Sequence, residues 1–197
     1  IWLHAASVGE AISMLQLIRK LLRKHVNCHL MITTGTVSSA HLMQSRLPSR
    51  AFHQYIPIDR PQYVRRFINH WRPDIALWVE SEFWPNIIIE TREKNIPLVL
   101  VNGRISKKSF TGWQRAPGLI KTLLQCFTLC LGQSDTDVQR LNKLGALNPK
   151  NLGNLKFSAP PLPADAGALN TLQSIIGNRP VFVAVSTHPE EEEIIAT

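Results

Sequence analysis

Several stretches of the sequence gather side chains able to move a proton or hold a charged ligand, and each adjoins a short apolar run. Ser7-Val8-Gly9-Glu10 comes after the run 1–5, and Thr33-Thr34-Gly35-Thr36 closes the run 28–33. Glu80-Ser81-Glu82-Phe83-Trp84-Pro85-Asn86 follows the run 75–79, and Asn102-Gly103-Arg104-Ile105-Ser106-Lys107-Lys108 ends the run 98–102. Ser7 and Glu10 have the spacing of a capping box, in which the serine accepts the Glu10 amide and Glu10 reaches back to Ser7. The same residues permit a second role. Gly9 carries no side chain, so a ligand could approach the first-turn amides of a helix. Glu10 would stand at a cleft mouth, with nothing adjacent in sequence to bury it, where a carboxylate can accept a hydroxyl proton.

The other turns divide in the same way between structure and chemistry. Thr33, Thr34, Gly35 and Thr36 are ordinary turn and cap residues, yet three hydroxyls and a glycine before a helix also make an anion cradle. Acids such as Glu80 and Glu82 gain from a helix N-terminus. Two of them beside Trp84 and Pro85 also make a ligand edge with an aromatic wall. Arg104 can fork onto a phosphate or carboxylate, while Lys107 and Lys108 add point charge, or the three form a solvated basic loop. Ser186-Thr187-His188-Pro189 leads into four glutamates, with Thr187 and Glu190 at capping-box spacing. His188 has no second ligand cluster, so no metal site is expected. Residues 153–157 carry no self-evident chemistry.

The elements that position these turns follow from hydrophobic pattern. Apolar runs at 1–5, 28–33, 51–56, 75–79, 98–102, 128–132 and 181–185 alternate with amphipathic stretches, which is the pattern of an α/β parallel sheet with helices on both faces. Helical patterns occupy 11–24, where Ile12, Leu15, Ile18 and Leu22 share a stripe, 60–71 with Pro61 just inside its start, and 134–144 between Ser134 and Gly145. The three prolines of residues 159–168 read as a linker. The expected organisation is a domain over 1–158, that linker, and the start of a second domain over 169–197. In an open parallel sheet ligands bind beyond the carboxyl ends of the strands, where the turns above belong.

Composition narrows the partners. The chain has 197 residues and a formal charge of +8; residues 1–156 hold 21 of the 22 Lys and Arg and 9 of the 14 Asp and Glu, a net of +12. That field favours anionic partners such as phosphorylated ligands or acidic lipid surfaces. Nucleic-acid binding would call for a basic stripe with interleaved aromatics, whereas these charges are spread over several helices and loops, so no nucleic acid is expected. Cys28, Cys126 and Cys130 lie in apolar stretches and read as reduced, buried thiols. No apolar run reaches the roughly 18 residues of a membrane span. The opening inside an apparent strand, without Met, reads as a front truncation.

Taken together, the turns resemble the Kdo transferase family, enzymes that add 3-deoxy-D-manno-octulosonic acid to a lipid A precursor. The S-V-G-E pattern matches Ser7 to Glu10, and T-T-x-T is similar to Thr33 to Thr36. E-T-E-L-W-P-N resembles Glu80 to Asn86, with departures at Ser81 and Phe83. N-A-R-L-S is similar to Asn102 to Ser106, G-S-L-K-F-D to Gly153 to Ser158 with a departure at Ser158, and S-T-H-x-x-E-E to Ser186 to Glu192. The resemblance implies a GT-B arrangement, of which this chain is the acceptor-binding half and the beginning of the donor half. It implies Glu10 as general base, inversion at the sugar, and CMP-Kdo as donor substrate with no cofactor or metal. An acceptor site would include Ser7, Gly9, Thr33 to Thr36, Glu80, Glu82, Arg104, Lys107 and Lys108, with Trp84 packing behind. Ser186, Thr187 and His188 would lie on the donor side. The setting implied is the cytoplasmic face of the bacterial inner membrane, reached through a segment before residue 1. Another GT-B nucleotide-sugar transferase or a UDP-sugar epimerase is the nearest alternative.

Overall fold

The computed structural model describes residues 1–158 and 164–195. The chain divides into two units, residues 1–159 and 160–197. The first contains β1 (Trp2–His4), α1 (Val8–Lys24), β2 (Leu30–Thr34), α2 (Val37–Arg46), β3 (Ala51–Tyr55), α3 (Pro61–Trp71) and β4 (Ala76–Val79). It continues with α4 (Pro85–Glu93), β5 (Leu98–Gly103), α5 (Lys107–Trp113), α6 (Pro117–Gln125), β6 (Leu129–Gly132), α7 (Asp135–Leu144), β7 (Lys150–Asn151) and a 3-10 turn at Leu155–Ser158.

The strands form one parallel sheet in the order β3-β2-β1-β4-β5-β6-β7. Residues alternate between its faces. Trp2, Met31, Ala76, Trp78, Leu98 and Leu100 pack with side chains of α3, α4, α6 and α7, whereas Leu3, Leu30, Ile32 and Val79 pack with α1 and α2. Both faces are therefore covered, which is why the strands read as unbroken apolar runs. Adjacent β1 and β4 send their following helices, α1 and α4, to opposite faces. Between their carboxyl ends lies the switch-point crevice where such sheets take ligands.

Local signals stop the helices where expected. Ser7 caps α1, Ser134 caps α7, and Gly145 ends α7 at φ 105°. A Cβ at Gly145 would lie 2.7 Å from Lys121 Cγ, so that position demands glycine on two counts. The carboxyl end of α1 has a clamp that its own sequence does not show. Arg50 donates to the carbonyls of Leu22, His25, Val26 and Cys28, which a helix end otherwise leaves open. Only Cys130 is buried, with its thiol pushed up to about 12 by loss of water; Cys28 and Cys126 are half-buried.

The second unit contains α8 (Ala166–Ile176) and α9 (Pro189–Ile195). Asp165 caps α8 through Ala168 N at 2.7 Å, so the helix starts inside the stretch expected as linker; residues 159–163 of that stretch lie outside the described residues. The expected strand at 181–185 is not formed: Val181, Phe182, Val183 and Val185 are exposed, and the run pairs with no strand among the described residues. An apolar run becomes a buried strand only where neighbouring strands accept its backbone bonds. Among the described residues, no helix is long and apolar enough to cross a membrane.

Candidate active site at the switch point of the sheet

Glu10 is in the first turn of α1, directly beyond β1. Its backbone N–H donates to Ser7 Oγ (3.2 Å), as a capping box requires. The carboxylate reaches one residue further back than that motif asks, to the Ala6 amide in place of the Ser7 amide. Oε1 accepts from Ser7 Oγ (2.9 Å) and Oε2 accepts from the Ala6 amide (2.9 Å). Contrary to the sequence expectation, Glu10 is also taken out of water, with 9% of its surface exposed. Burial raises its pKa above the ordinary carboxylate value. The Ala6 and Ser7 bonds oppose that rise, and the nearby charges of Glu80 and Glu82 add to it. The product is a carboxylate fixed by two hydrogen bonds and more basic than an ordinary one.

Gly9 faces open space, since an added Cβ would meet no atom within 4 Å. Gly9 is exposed in the first turn of α1, one residue before Glu10.

Glu80 and Glu82 come from the turn after β4, across the crevice. Glu80 adopts a left-handed backbone, φ 59°, that ends the strand sharply. Its Oε1 lies 3.1 Å from Lys156 Nζ, an ion pair by distance whose angle makes no hydrogen bond, and that buried oxygen accepts no other bond among the described residues. Glu82 is held at both ends: Trp78 Nε1 donates to its carbonyl, and Trp84 Nε1 donates to Oε2 at 3.1 Å. Trp84 does not pack behind the acids. It is exposed with its indole N–H on Glu82, whereas Phe83 turns inward against Trp113 and Phe127. The helix start that follows is capped from another loop. Asp59 accepts from Ile87 N at 2.8 Å and Asn86 N at 3.3 Å, and Asn86 Nδ2 donates to both the Asp59 carboxylate and its carbonyl.

The threonines divide. Thr33 and Thr34 are fully buried, so they do not form the anticipated cradle. Thr33 Oγ1 accepts from Trp2 Nε1 at 2.9 Å and meets His4 Nδ1 at 3.1 Å; Thr34 Oγ1 meets His53 Nε2 at 2.8 Å. The pleat points both hydroxyls into the two cores. Gly35 and Thr36 are exposed beyond β2, with Thr36 as N-cap of α2.

Arg104, Lys107 and Lys108 are exposed beyond β5, one strand along from β4. Among the described residues none of them forms an ion pair. Their loop is anchored beneath by Ile105, whose N–H donates to Asp137 Oδ1 (2.8 Å) and whose carbonyl accepts from Arg140 (2.6 Å). Ser186, Thr187 and His188 belong to the second unit. There Thr187 donates to Glu192 and the His188 amide to Glu191, so the expected Thr187–Glu190 box is replaced by bonds one and two residues further on. Among the described residues no cluster of three or more His, Cys, Asp or Glu is arranged to hold a metal.

Sequence reasoning missed three contributors to this edge. Lys156 lies in a matched turn to which no chemistry was assigned and Asp59 in no motif; the partner of Lys156 is 76 positions away and those of Asp59 are 27 and 28. His4 had a signal, a polar residue inside an apolar strand. Its ring packs against Trp78 with centroids 4.4 Å apart and planes tilted by 41°, and burial lowers its pKa to about 4.

The sheet order and the acidic crevice define a Rossmann-like α/β domain of the kind that GT-B proteins use. In fold it is similar to a UDP-GlcNAc 2-epimerase from Neisseria meningitidis, with a TM-score of 0.58 at 11% identity over 90% of this chain and 50% of that one. That likeness concerns the fold alone. Residues 1–159 match the family described as 3-Deoxy-D-manno-octulosonic-acid transferase (kdotransferase), and the chain belongs to that family. It is 40% identical to the 3-deoxy-D-manno-octulosonic acid transferase of Rickettsia felis over 195 residues, 99% of this chain and 42% of that protein. With its Haemophilus influenzae counterpart it shares 31% identity over 198 residues, 99% of this chain and 46% of that protein. The chain thus spans less than half the length of these curated relatives.

Proposed function

We propose that this chain forms the acceptor-binding part of an enzyme that transfers Kdo from CMP-Kdo to a lipid A precursor, working at the cytoplasmic face of the inner membrane. The observation that carries this reading is Glu10: a buried carboxylate of raised basicity, held by Ser7 and Ala6 at the switch point, with open space beside Gly9. An acceptor hydroxyl seated there would give its proton to Glu10 as its oxygen attacks the anomeric carbon of Kdo. The bond to CMP breaks on the opposite face, so configuration inverts. Glu80 and Glu82 would accept hydrogen bonds from neighbouring acceptor hydroxyls and orient the sugar. Arg104, Lys107 and Lys108, unpaired among the described residues, suit the phosphates of such an acceptor and an anionic membrane surface. Departure of CMP is assigned to basic groups and helix N-termini on the donor side.

The test is transfer by the full-length protein, followed by mass spectrometry of a bisphosphorylated lipid A precursor incubated with CMP-Kdo. Wild type should add Kdo, and Glu10→Gln should fold normally but transfer at least about a hundredfold more slowly, the lower range for loss of a general base. Near-normal transfer by Glu10→Gln would remove the base assignment. No transfer by well-folded wild type would remove the substrate assignment.

A further inference from the structure

The segment that leaves the sheet returns to the acidic site. After β7 the chain is fastened residue by residue: Asn154 Nδ2 donates to Gln133 Oε1 (3.3 Å), Leu155 N donates to Asn102 Oδ1 (3.0 Å), and Lys156 Nζ reaches Glu80 Oε1 (3.1 Å). Leu155 itself packs on the core beside α1. Asn102 is buried and left-handed, φ 57°, at the end of β5, and its carbonyl accepts from Gln133 Nε2 at 3.0 Å. A buried side-chain oxygen thus sets the register of the 3-10 turn, and that register delivers Lys156 to Glu80. Three turns distant in sequence, after β4, β5 and β7, converge on one carboxylate.

Three carboxylates meet at this crevice, and Lys156 forms the one ion pair with any of them among the described residues. We propose that Lys156 is a positioning residue of this site: by pairing with Glu80 it holds that carboxylate in place beside Glu10 and offsets part of the negative charge gathered between β1 and β4. The proposal rests on the reading of Glu10 as the base. The charges acting on Glu10 come from Glu80 and Glu82 of the β4–α4 turn. From the β2 and α2 side, His41 and Arg46 form no ion pair with it, and His53 is engaged by Thr34. Lys156 touches Glu80 and not the reacting atoms, so its effect is indirect. Its side chain is 44% exposed, and such half-exposed pairs add little to stability. That separates a positioning role from a merely structural one.

The test uses the full-length protein with carbon-13 at the glutamate side chains, the Glu10 signal being assigned by its loss in Glu10→Gln. Lys156→Met should leave the melting temperature nearly unchanged, move the Glu10 titration midpoint upward, and lower kcat/KM about ten- to a hundredfold, as expected for a displaced orienting group. Lys156→Arg should restore both. Glu80→Gln removes the repelling charge and should move the midpoint downward. An unchanged Glu10 midpoint in Lys156→Met, or in Glu80→Gln if the lysine variant does not fold, overturns the proposal. Midpoints that move in these opposite directions in a protein that shows no Kdo transfer support the positioning role and refute the substrate assignment, so the two failures are distinguishable.

Discussion

His4 should make the chain sensitive to mild acid, by an amount that follows from its surroundings. It lies in one row of the sheet with Thr33 and Trp78, at the last rung of β1. Its Nδ1 is 3.1 Å from the Thr33 hydroxyl and 3.2 Å from the Thr33 carbonyl, and the tautomer that satisfies the carbonyl carries its proton on Nδ1. Nε2 is then a bare acceptor, buried and without a partner among the described residues. Charging the ring would place a second proton where nothing receives it. Burial accordingly lowers the pKa from 6.5 to about 4, against a smaller opposing effect of the Thr33 bond. The sign follows from linkage. Above pH 6.5 both folded and unfolded chains hold neutral histidine. Below it the unfolded chain binds a proton that the folded chain refuses until about pH 4, so stability falls as pH falls through this window. At 1.36 kcal/mol per pH unit the loss amounts to about 2.5 kcal/mol by pH 4.5. His4→Asn keeps a donor for the Thr33 carbonyl but does not titrate. Urea unfolding of both proteins at pH 7 and pH 4.5 isolates the effect from other titrating groups. Wild type should lose about 2.5 kcal/mol more than the variant over that interval. Equal losses would mean that the ring is hydrated or paired, and the argument from Nε2 would fail.

Two further substitutions probe the crevice walls. Gly9→Ala fills open space inside a helix, so it should raise stability by about 0.5–1 kcal/mol in thermal unfolding, yet raise KM for the acceptor proposed above; an unchanged KM would show that no ligand approaches there. Asp59→Ala removes the cap of α4 and should cost about 1 kcal/mol in urea unfolding; Asp59→Asn, which retains an acceptor, should cost less, and equal costs would argue against the capping role.

The sheet and the acidic turns were legible in the sequence because each rests on local chemistry. Six apolar runs became strands with ends within two residues of expectation, and the capping signals at Ser7, Ser134 and Gly145 acted as read. Long-range facts were less accessible. Glu10 and Glu80 are 70 positions apart, and only the strand order β2-β1-β4 makes them neighbours. Thr33 and Thr34 looked like ligand groups because composition does not tell which way a strand residue faces at its final rung. The two-residue β7 is too short to show a period, and residues 181–185 had strand composition without a strand to pair with. Lys156 looked like the tail of an unremarkable turn because its meaning lies in Glu80.

The left-handed backbone at Glu80 has a bearing on how this protein evolves. A non-glycine residue held at φ 59° costs about 1 kcal/mol or more, which a glycine there would relieve. Variants selected for thermal resistance alone would therefore accumulate glycine at position 80, gaining stability while surrendering the acidic crevice. A population kept under selection for the proposed transfer should hold glutamate there at that standing expense. Position 80 thus offers a single-codon readout of whether a laboratory lineage is being selected for its fold or for its work.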